Sequence, residues 1–211
     1  MVVVGGGSST RFGTDKLMVE VAGRPIISHA IESVVPHVDV CVVVCRSEIR
    51  ARVAGLHPGV IVVEGGISRT RSEIAGLAAL PNHIDVIGIH DAARPLVSPD
   101  TIRYLFETAA RRGGAVPLLA TTNLVIDRET GHPIVGVRGA QTPQVFRGPE
   151  LIAAYARASV EDFEGHDTVE VMERFGKVEI TAVGGDPDNV KVTYPEDLDV
   201  VKTLLEAPFR T

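Results

Sequence analysis

Tryptophan is absent from this 211-residue chain, aromatic residues make up only 4% of it, and cysteine occurs twice. The two cysteines, Cys41 and Cys45, sit in VDVCVVVCRS, a segment that reads as a buried strand. Residues four apart on a strand share a face but lie roughly 13 Å apart, beyond the reach of a disulfide. They are expected as buried core thiols. A zinc site would need more Cys or His at ligand spacing, and the sequence has none. No apolar run approaches the roughly 18 residues that span a bilayer. The N-terminus also lacks the basic region and small-residue cleavage site of a signal peptide. A net charge of −6 excludes a broad nucleic-acid surface and leaves any phosphate site local. Internal repeats and low-complexity linkers are missing too. The expectation is a soluble, cytoplasmic chain forming one domain over residues 1–211, with a sizeable core and neither membrane nor nucleic acid as a partner.

What is present is an alternation of strand and helix patterns. Strands are expected at Val2–Val4, Val38–Cys45, Val60–Val63, Ile84–His90 and Ala115–Leu118. Helices are expected from Pro25 to Val35, from about 48 to 54, from about Ser68, and from Ser98 to about Arg112, where Pro99 follows an N-capping serine. This alternation implies parallel βαβ units and a sheet covered on both faces. Residues 119–147 break the pattern: Asp127 to Pro133 reads as a hairpin turn, and the stretch reads as an arm. Helices then return at about 148–157 and 167–175. Strands follow at Lys177–Val183 and Val190–Thr193, and a last helix begins near Pro195.

Ligands of such sheets bind beyond the carboxyl ends of the strands, so three loops carry the chemistry. GGGSSTRFGTDK follows the first strand. Its glycines let backbone N–H groups close on phosphate oxygens, and Arg11 and Lys16 add a planar fork and a point charge. It is neither a Walker loop nor a dinucleotide fingerprint. EGGISRTRS follows the third strand. HDAARPL follows the fourth, with Asp91 at its carboxyl end as a candidate Mg2+ ligand and Arg94 three residues on. Near the C-terminus, GGDPDNVKVTYPEDL places Lys191 opposite the apolar side of its segment, able to reach the same phosphates. Asp186 and Asp188 are further metal candidates. No Ser/His/Asp nucleophile set exists, and His90 reads as part of a strand–loop junction.

Taken together, GGGSSTRFGTDK with VAGRPIISHAI, EGG and the following Arg and Ser, HDAARPL, QTPQVF and DNVKVTYPEDL resemble, in order, the cytidylyltransferases of the non-mevalonate isoprenoid pathway. Those enzymes join CTP to 2-C-methyl-D-erythritol 4-phosphate and release pyrophosphate; the pentitol-phosphate cytidylyltransferases share the motifs. The opening alone also looks like the molybdenum-cofactor nucleotidyltransferases, but the later motifs favour the former. The resemblance implies an α/β, Rossmann-like nucleotidyltransferase fold (GT-A-like, three layers) with a projecting β-arm, a homodimer formed through that arm, and an Mg2+ requirement. By the same resemblance, Arg11, Lys16 and Lys191 are catalytic and stabilise charge on the α-phosphate. Gly5, Gly6, Gly7, Ser8, Gly65, Gly66 and Ser72 bind CTP. Asp91, Arg94, Thr142 and His166 lie on the acceptor side, with Asp91 also at the metal.

The nucleotide side matches the family, whereas the acceptor side departs from it. Asn123 and Leu124, with Ile126 beyond them, stand where the family carries Asp-Thr followed by Lys. Ile134 replaces an arginine that binds the acceptor phosphate, and His166 replaces a threonine, with Asp167 retained. A phosphate dianion needs charge-assisted donors. Either Arg138, His166 or Arg128 supplies them, or the acceptor is a different polyol phosphate.

Overall fold

The computed structural model describes residues 1–6, 15–121 and 125–207. Arg11, Gly7, Ser8, Asn123 and Leu124 therefore lie outside the described residues. Elements are numbered in chain order. β1 (Val2–Gly5), the short pair β2 (Glu20–Val21) and β3 (Arg24–Pro25), and α1 (Ile26–Val34) open the chain. They are followed by β4 (Val42–Cys45), α2 (Ser47–Leu56), β5 (Ile61–Glu64), α3 (Arg69–Ala78), β6 (Val86–Asp91), α4 (Pro99–Arg112) and β7 (Gly113–Ala120). The second half comprises β8 (Val125–Ile126), β9 (Pro133–Ile134), β10 (Arg138–Ala140), β11 (Gln144–Arg147), α5 (Gly148–Val160), α6 (Thr168–Phe175), β12 (Glu179–Gly184) and α7 (Asp197–Glu206).

The central sheet runs β10-β7-β11-β6-β1-β4-β5, with β12 parallel to β7. β1, β4, β5 and β6 are mutually parallel, the βαβ units that the alternation predicts. Each strand of the centre is apolar on both faces. Val3, Val43 and Cys45 pack with Ile26, Ile27 and Ile31 of α1, Ile49 and Val53 of α2, Ile102 of α4 and Val201 of α7. Val2, Val4, Val42 and Val44 pack on the other side with Leu77 of α3, Leu151, Ala154 and Tyr155 of α5, and Val171 and Phe175 of α6. Two helical layers thus enclose one sheet, and period-2 alternation makes a run such as VVVC apolar throughout. Cys41 and Cys45 are buried free thiols, and burial raises both pKa values to about 11.

Two expectations need correction. The 119–147 interval is broader than the excursion it contains. β10 pairs with the end of β7, and β11 inserts antiparallel between β6 and β7. Among the described residues of that interval, the paired strands outside the main sheet are those of the β8–β9 hairpin. Its turn is built by Asp127, whose Oδ1 accepts from Glu129 N, Thr130 N and Thr130 Oγ1, with Gly131 at φ +70°. β11 escapes notice because Gln141, Thr142, Pro143 and Gln144 look like loop residues. Val190–Thr193 is not a ladder strand either. It is a loop segment held by scattered bonds and no ladder: Val192 N donates to Ala93 O at 2.8 Å and Thr193 N to Asp197 Oδ2 at 2.6 Å.

Candidate active site

β1, β4, β5 and β6 all point their carboxyl ends to one edge of the sheet, so the loops after β1, β5 and β6 converge there. The first two touch. A Cβ on Gly6 would stand 2.5 Å from Ser72 Oγ, and one on Gly65 would stand 2.9 Å from the same oxygen. Only glycine permits this approach, and it brings the glycine turns of both predicted CTP loops against the first turns of α3. Ser68 caps that helix by accepting from Arg71 N, and Ser72 Oγ donates to Ser68 O at 2.8 Å. Gly5 is packed under Leu17 and Ala92.

Lys16 begins a 3-10 turn, Lys16–Met18, capped by Asp15 through Leu17 N. Asp15 is also paired with Arg46 at 2.6 Å, which fixes the turn against the end of β4. From there Lys16 Nζ donates to Val192 O at 2.8 Å. The sequence resemblance places Lys16 and Lys191 at one phosphate, and the structure brings their two segments together.

Asp91, at the end of β6, is the hub. Its Oδ1 accepts from Arg69 Nη1 at 2.5 Å, its Oδ2 lies 2.6 Å from Lys191 Nζ, and Arg94 Nε stands 4.0 Å away. Burial alone would push the carboxyl up. Arg69 and Lys191 outweigh burial and hold it well below the usual carboxylate range. Arg69, half shielded beside Asp91, reaches back through Nε to Glu73 at 2.9 Å. Burial opposes the charge on Arg69, but Asp91 and Glu73 raise its pKa, so the guanidinium stays charged.

The loop after β6 is locked by a chain of hydrogen bonds. Asp91 N donates to Thr142 Oγ1 at 2.9 Å, and Thr142 Oγ1 lies 3.1 Å from His90 Nδ1. His90 Nε2 lies 3.0 Å from Arg94 O. A carbonyl only accepts, so Nε2 carries the proton and Nδ1 accepts from the hydroxyl. Burial lowers the His90 pKa to about 4, keeping the imidazole neutral. His90 is thus the junction residue that its position predicts.

Several predicted acceptor residues are turned inward. Thr142 is buried, and its hydroxyl is committed to Asp91 and His90. Arg94 is buried and donates to Asn189 O at 2.7 Å rather than presenting its fork to solvent. Asn189 Nδ2 returns to Thr142 O at 2.8 Å. Gln141 closes a two-way bond with the Asp186 backbone, at 2.8 and 3.0 Å. Gln144 Nε2 donates to Asp167 Oδ2, and its Oε1 accepts from Val169 N. The QTPQ run therefore clamps the end of β6, the Asp186–Lys191 segment and the start of α6 together. His166 is exposed at the N-terminus of α6, with Nδ1 3.0 Å from Glu170 Oε2. Arg138 is exposed on β10, and Ile134 lies exposed on the hairpin. Sequence reasoning missed Arg69 and Glu73 as site residues, although Arg69 stands in the EGG motif and the four-residue spacing to Glu73 marks a shared helix face.

Magnesium fits this donor set poorly as a resident ion. Both Asp91 oxygens are taken by cationic groups, and no group of three metal-ligating side chains exists among the described residues. Asp186 uses Oδ1 to accept from Asp188 N in a local turn.

A glycine-built cradle beside Lys16, Arg69 and Lys191, at the carboxyl edge of a mixed sheet, is the arrangement of an α/β nucleotidyltransferase. Solved structures share the architecture. A 2-C-methyl-D-erythritol 4-phosphate cytidylyltransferase from Thermus thermophilus superposes with a TM-score of 0.84 at 25% identity, covering 98% of both chains. A 4-diphosphocytidyl-2C-methyl-D-erythritol synthase from Anaerococcus prevotii gives 0.85 at 21% identity over 98% of this chain and 95% of that one. Residues 1–207 match the 2-C-methyl-D-erythritol 4-phosphate cytidylyltransferase family, and the chain belongs to it. The relative from Aquifex aeolicus that bears this name is 30% identical, with 97% of this chain and 96% of that protein aligned. A bifunctional enzyme from Granulibacter bethesdensis is 36% identical over 93% of this chain, which spans only 54% of that longer protein.

Proposed function

We propose that the protein transfers a cytidylyl group from CTP to the phosphate of 2-C-methyl-D-erythritol 4-phosphate and releases pyrophosphate. An acceptor phosphate oxygen attacks the α-phosphorus in line. The new P–O bond forms as the bond to the β-phosphate oxygen breaks, and pyrophosphate leaves. Lys16, Lys191 and Arg11 stabilise the charge that builds on the α-phosphate, so positioning and electrostatics supply the catalysis with no covalent intermediate. The observation that carries this reading is the convergence of Lys16, Lys191 and Asp91 beside the paired glycine loops. Gly5, Gly6, Gly65, Gly66 and Ser72 line the nucleotide side. Any Mg2+ would be held by the oxygens of the triphosphate rather than by these side chains.

A second reading keeps CTP and changes the acceptor to another polyol phosphate. Ile134, exposed on the hairpin, supports it, because an apolar side chain offers a dianion no donor. Arg128, Arg138 and His166, all exposed, are the candidate donors for either acceptor. The protein acts as a homodimer through its arm, a reading supported by exposed Ile126, Ile134 and Val135. No helix among the described residues is long and apolar enough to cross a membrane. The cytoplasm suits the two free thiols. The test is a coupled pyrophosphate-release assay crossing four nucleoside triphosphates with methylerythritol, ribitol and other polyol phosphates. Release with CTP and methylerythritol phosphate supports the first reading. Release only with another acceptor selects the second, and a preference for GTP contradicts both.

A further inference from the structure

Glu73 has no part in that mechanism, yet it is a fully buried carboxylate on α3. Tyr155 of α5 donates to its Oε2 at 2.7 Å, and Thr168 of α6 donates to its Oε1 at 3.3 Å. Arg69 Nε faces the same carboxylate at 2.9 Å while Arg69 Nη1 holds Asp91 Oδ1 at 2.5 Å. Asp91 Oδ2 in turn meets Lys191 Nζ at 2.6 Å. Burying a charge is expensive unless it is paired and hydrogen-bonded. An ordinary i,i+4 pair sits in water and needs no such enclosure. Here three helices hold one end of a planar, rigid fork whose other end sets a site carboxylate.

We propose that Glu73 is a positioning residue for the cytidylyl transfer proposed above, on which this inference rests. Anchored by Tyr155 and Thr168, Glu73 holds the Arg69 guanidinium by charge, with Nε 2.9 Å away in an ion pair that lacks hydrogen-bond alignment. Arg69 then occupies only Oδ1 of Asp91 and leaves Oδ2 to orient the Lys191 ammonium. Without Glu73, both Nη groups of Arg69 can turn to Asp91 in a bidentate pair and take Oδ2 from Lys191. A misplaced cation weakens transition-state contacts more than nucleotide binding, so the effect falls on kcat.

The test measures kcat and KM for CTP in the full-length protein for Glu73→Gln, Tyr155→Phe, Arg69→Met and the double variant Glu73→Gln/Arg69→Met. Glu73→Gln is expected to lower kcat on the order of 10- to 100-fold, with KM for CTP within about twofold of wild type. Tyr155→Phe keeps the ring and lowers kcat by a smaller factor. The double variant is no slower than Arg69→Met alone, because the two residues act in series. Folded variants with wild-type kcat, a loss confined to KM, or effects that multiply in the double variant would overturn the proposal. If Glu73→Gln does not fold, Tyr155→Phe decides by the same criteria. Wild-type protein that releases no pyrophosphate would sink the transferase reading instead, so the two failures are distinguishable.

Discussion

Asp91→Asn removes one negative charge from the hub of the site while preserving its shape. In the wild type the carboxylate is buried and faces Arg69, whose side chain is 25% exposed, and Lys191, whose side chain is 42% exposed. The lysine arm is substantially solvated, and its share of the stabilisation is screened to little. The arginine arm is enclosed, and breaking a buried pair costs about 3–5 kcal/mol, the low end applying here because Arg69 keeps Glu73 as a partner. Discounting for the partial exposure of Arg69 gives about 3 kcal/mol, the lower end of that range. At about 2–4 °C per kcal/mol for a domain of this size, the melting temperature should fall by about 6–12 °C. The pH dependence follows from the depressed folded-state pKa of Asp91. The stabilisation is fully present above the unfolded value of about 3.9 and is lost as pH falls from there toward the folded value. The gap between wild type and variant should therefore be constant from neutral pH to about pH 5 and close in stronger acid. Differential scanning calorimetry and urea unfolding across this range measure it. A drop smaller than about 2 °C at pH 7, or a gap that widens in acid, would refute the claim that Asp91 anchors the site through buried charge pairing.

Other perturbations have equally definite outcomes. His90 is neutral when folded, with a pKa near 4, so the unfolded chain binds the extra proton between there and about 6.5. Wild type should lose about 3 kcal/mol more stability than His90→Gln between pH 7 and pH 4 in urea titrations; parallel pH profiles would contradict the assignment. Arg94→Met leaves the Asn189 carbonyl only the longer 3.4 Å bond from Gln141 Nε2 and loosens the segment that carries Lys191. Hydrogen exchange at Val190 and Val192 should accelerate and stability fall by about 1–3 kcal/mol, and unchanged exchange would argue against the clamp. Calorimetric titration of nucleotide-free protein with Mg2+ should give no binding heat, with heat appearing once CTP is added, since both Asp91 oxygens are already engaged. Millimolar or tighter binding to the free protein would point to a resident metal site.

Much of the fold was legible because its core strands and helices carry strong local signals. Val2–Gly5 and Val42–Cys45 are apolar at every position, as strands buried on both faces must be. Ser98 and Pro99 mark the start of α4 by capping chemistry alone. β11 was hidden because its first residue, Gln144, spends its amide on Asp167 and Val169, partners about 25 residues further along the chain. The apparent strand at Val190–Thr193 has the right side chains, but its pairing partner is a loop, and sequence periodicity does not report partners. Lys16, Asp91 and Lys191 were legible as a site through their motifs. The inward commitments of Thr142 and Arg94 were not, because a motif records which residue stands at a position and not which atoms it contacts. Glu73 was missed for a related reason: a carboxylate on an amphipathic helix reads as solvated until Tyr155 and Thr168 are seen to close over it.

The central claim is tested most directly by phosphorus NMR of purified protein incubated with CTP and 2-C-methyl-D-erythritol 4-phosphate. The account predicts loss of the three CTP resonances and growth of the coupled pair of a cytidine diphosphate ester, with pyrophosphate appearing in equal amount. A spectrum in which CTP and the acceptor phosphate persist unchanged, while another polyol phosphate is converted under the same conditions, would contradict the assignment of methylerythritol phosphate. Persistence of CTP with every acceptor would contradict the transferase itself.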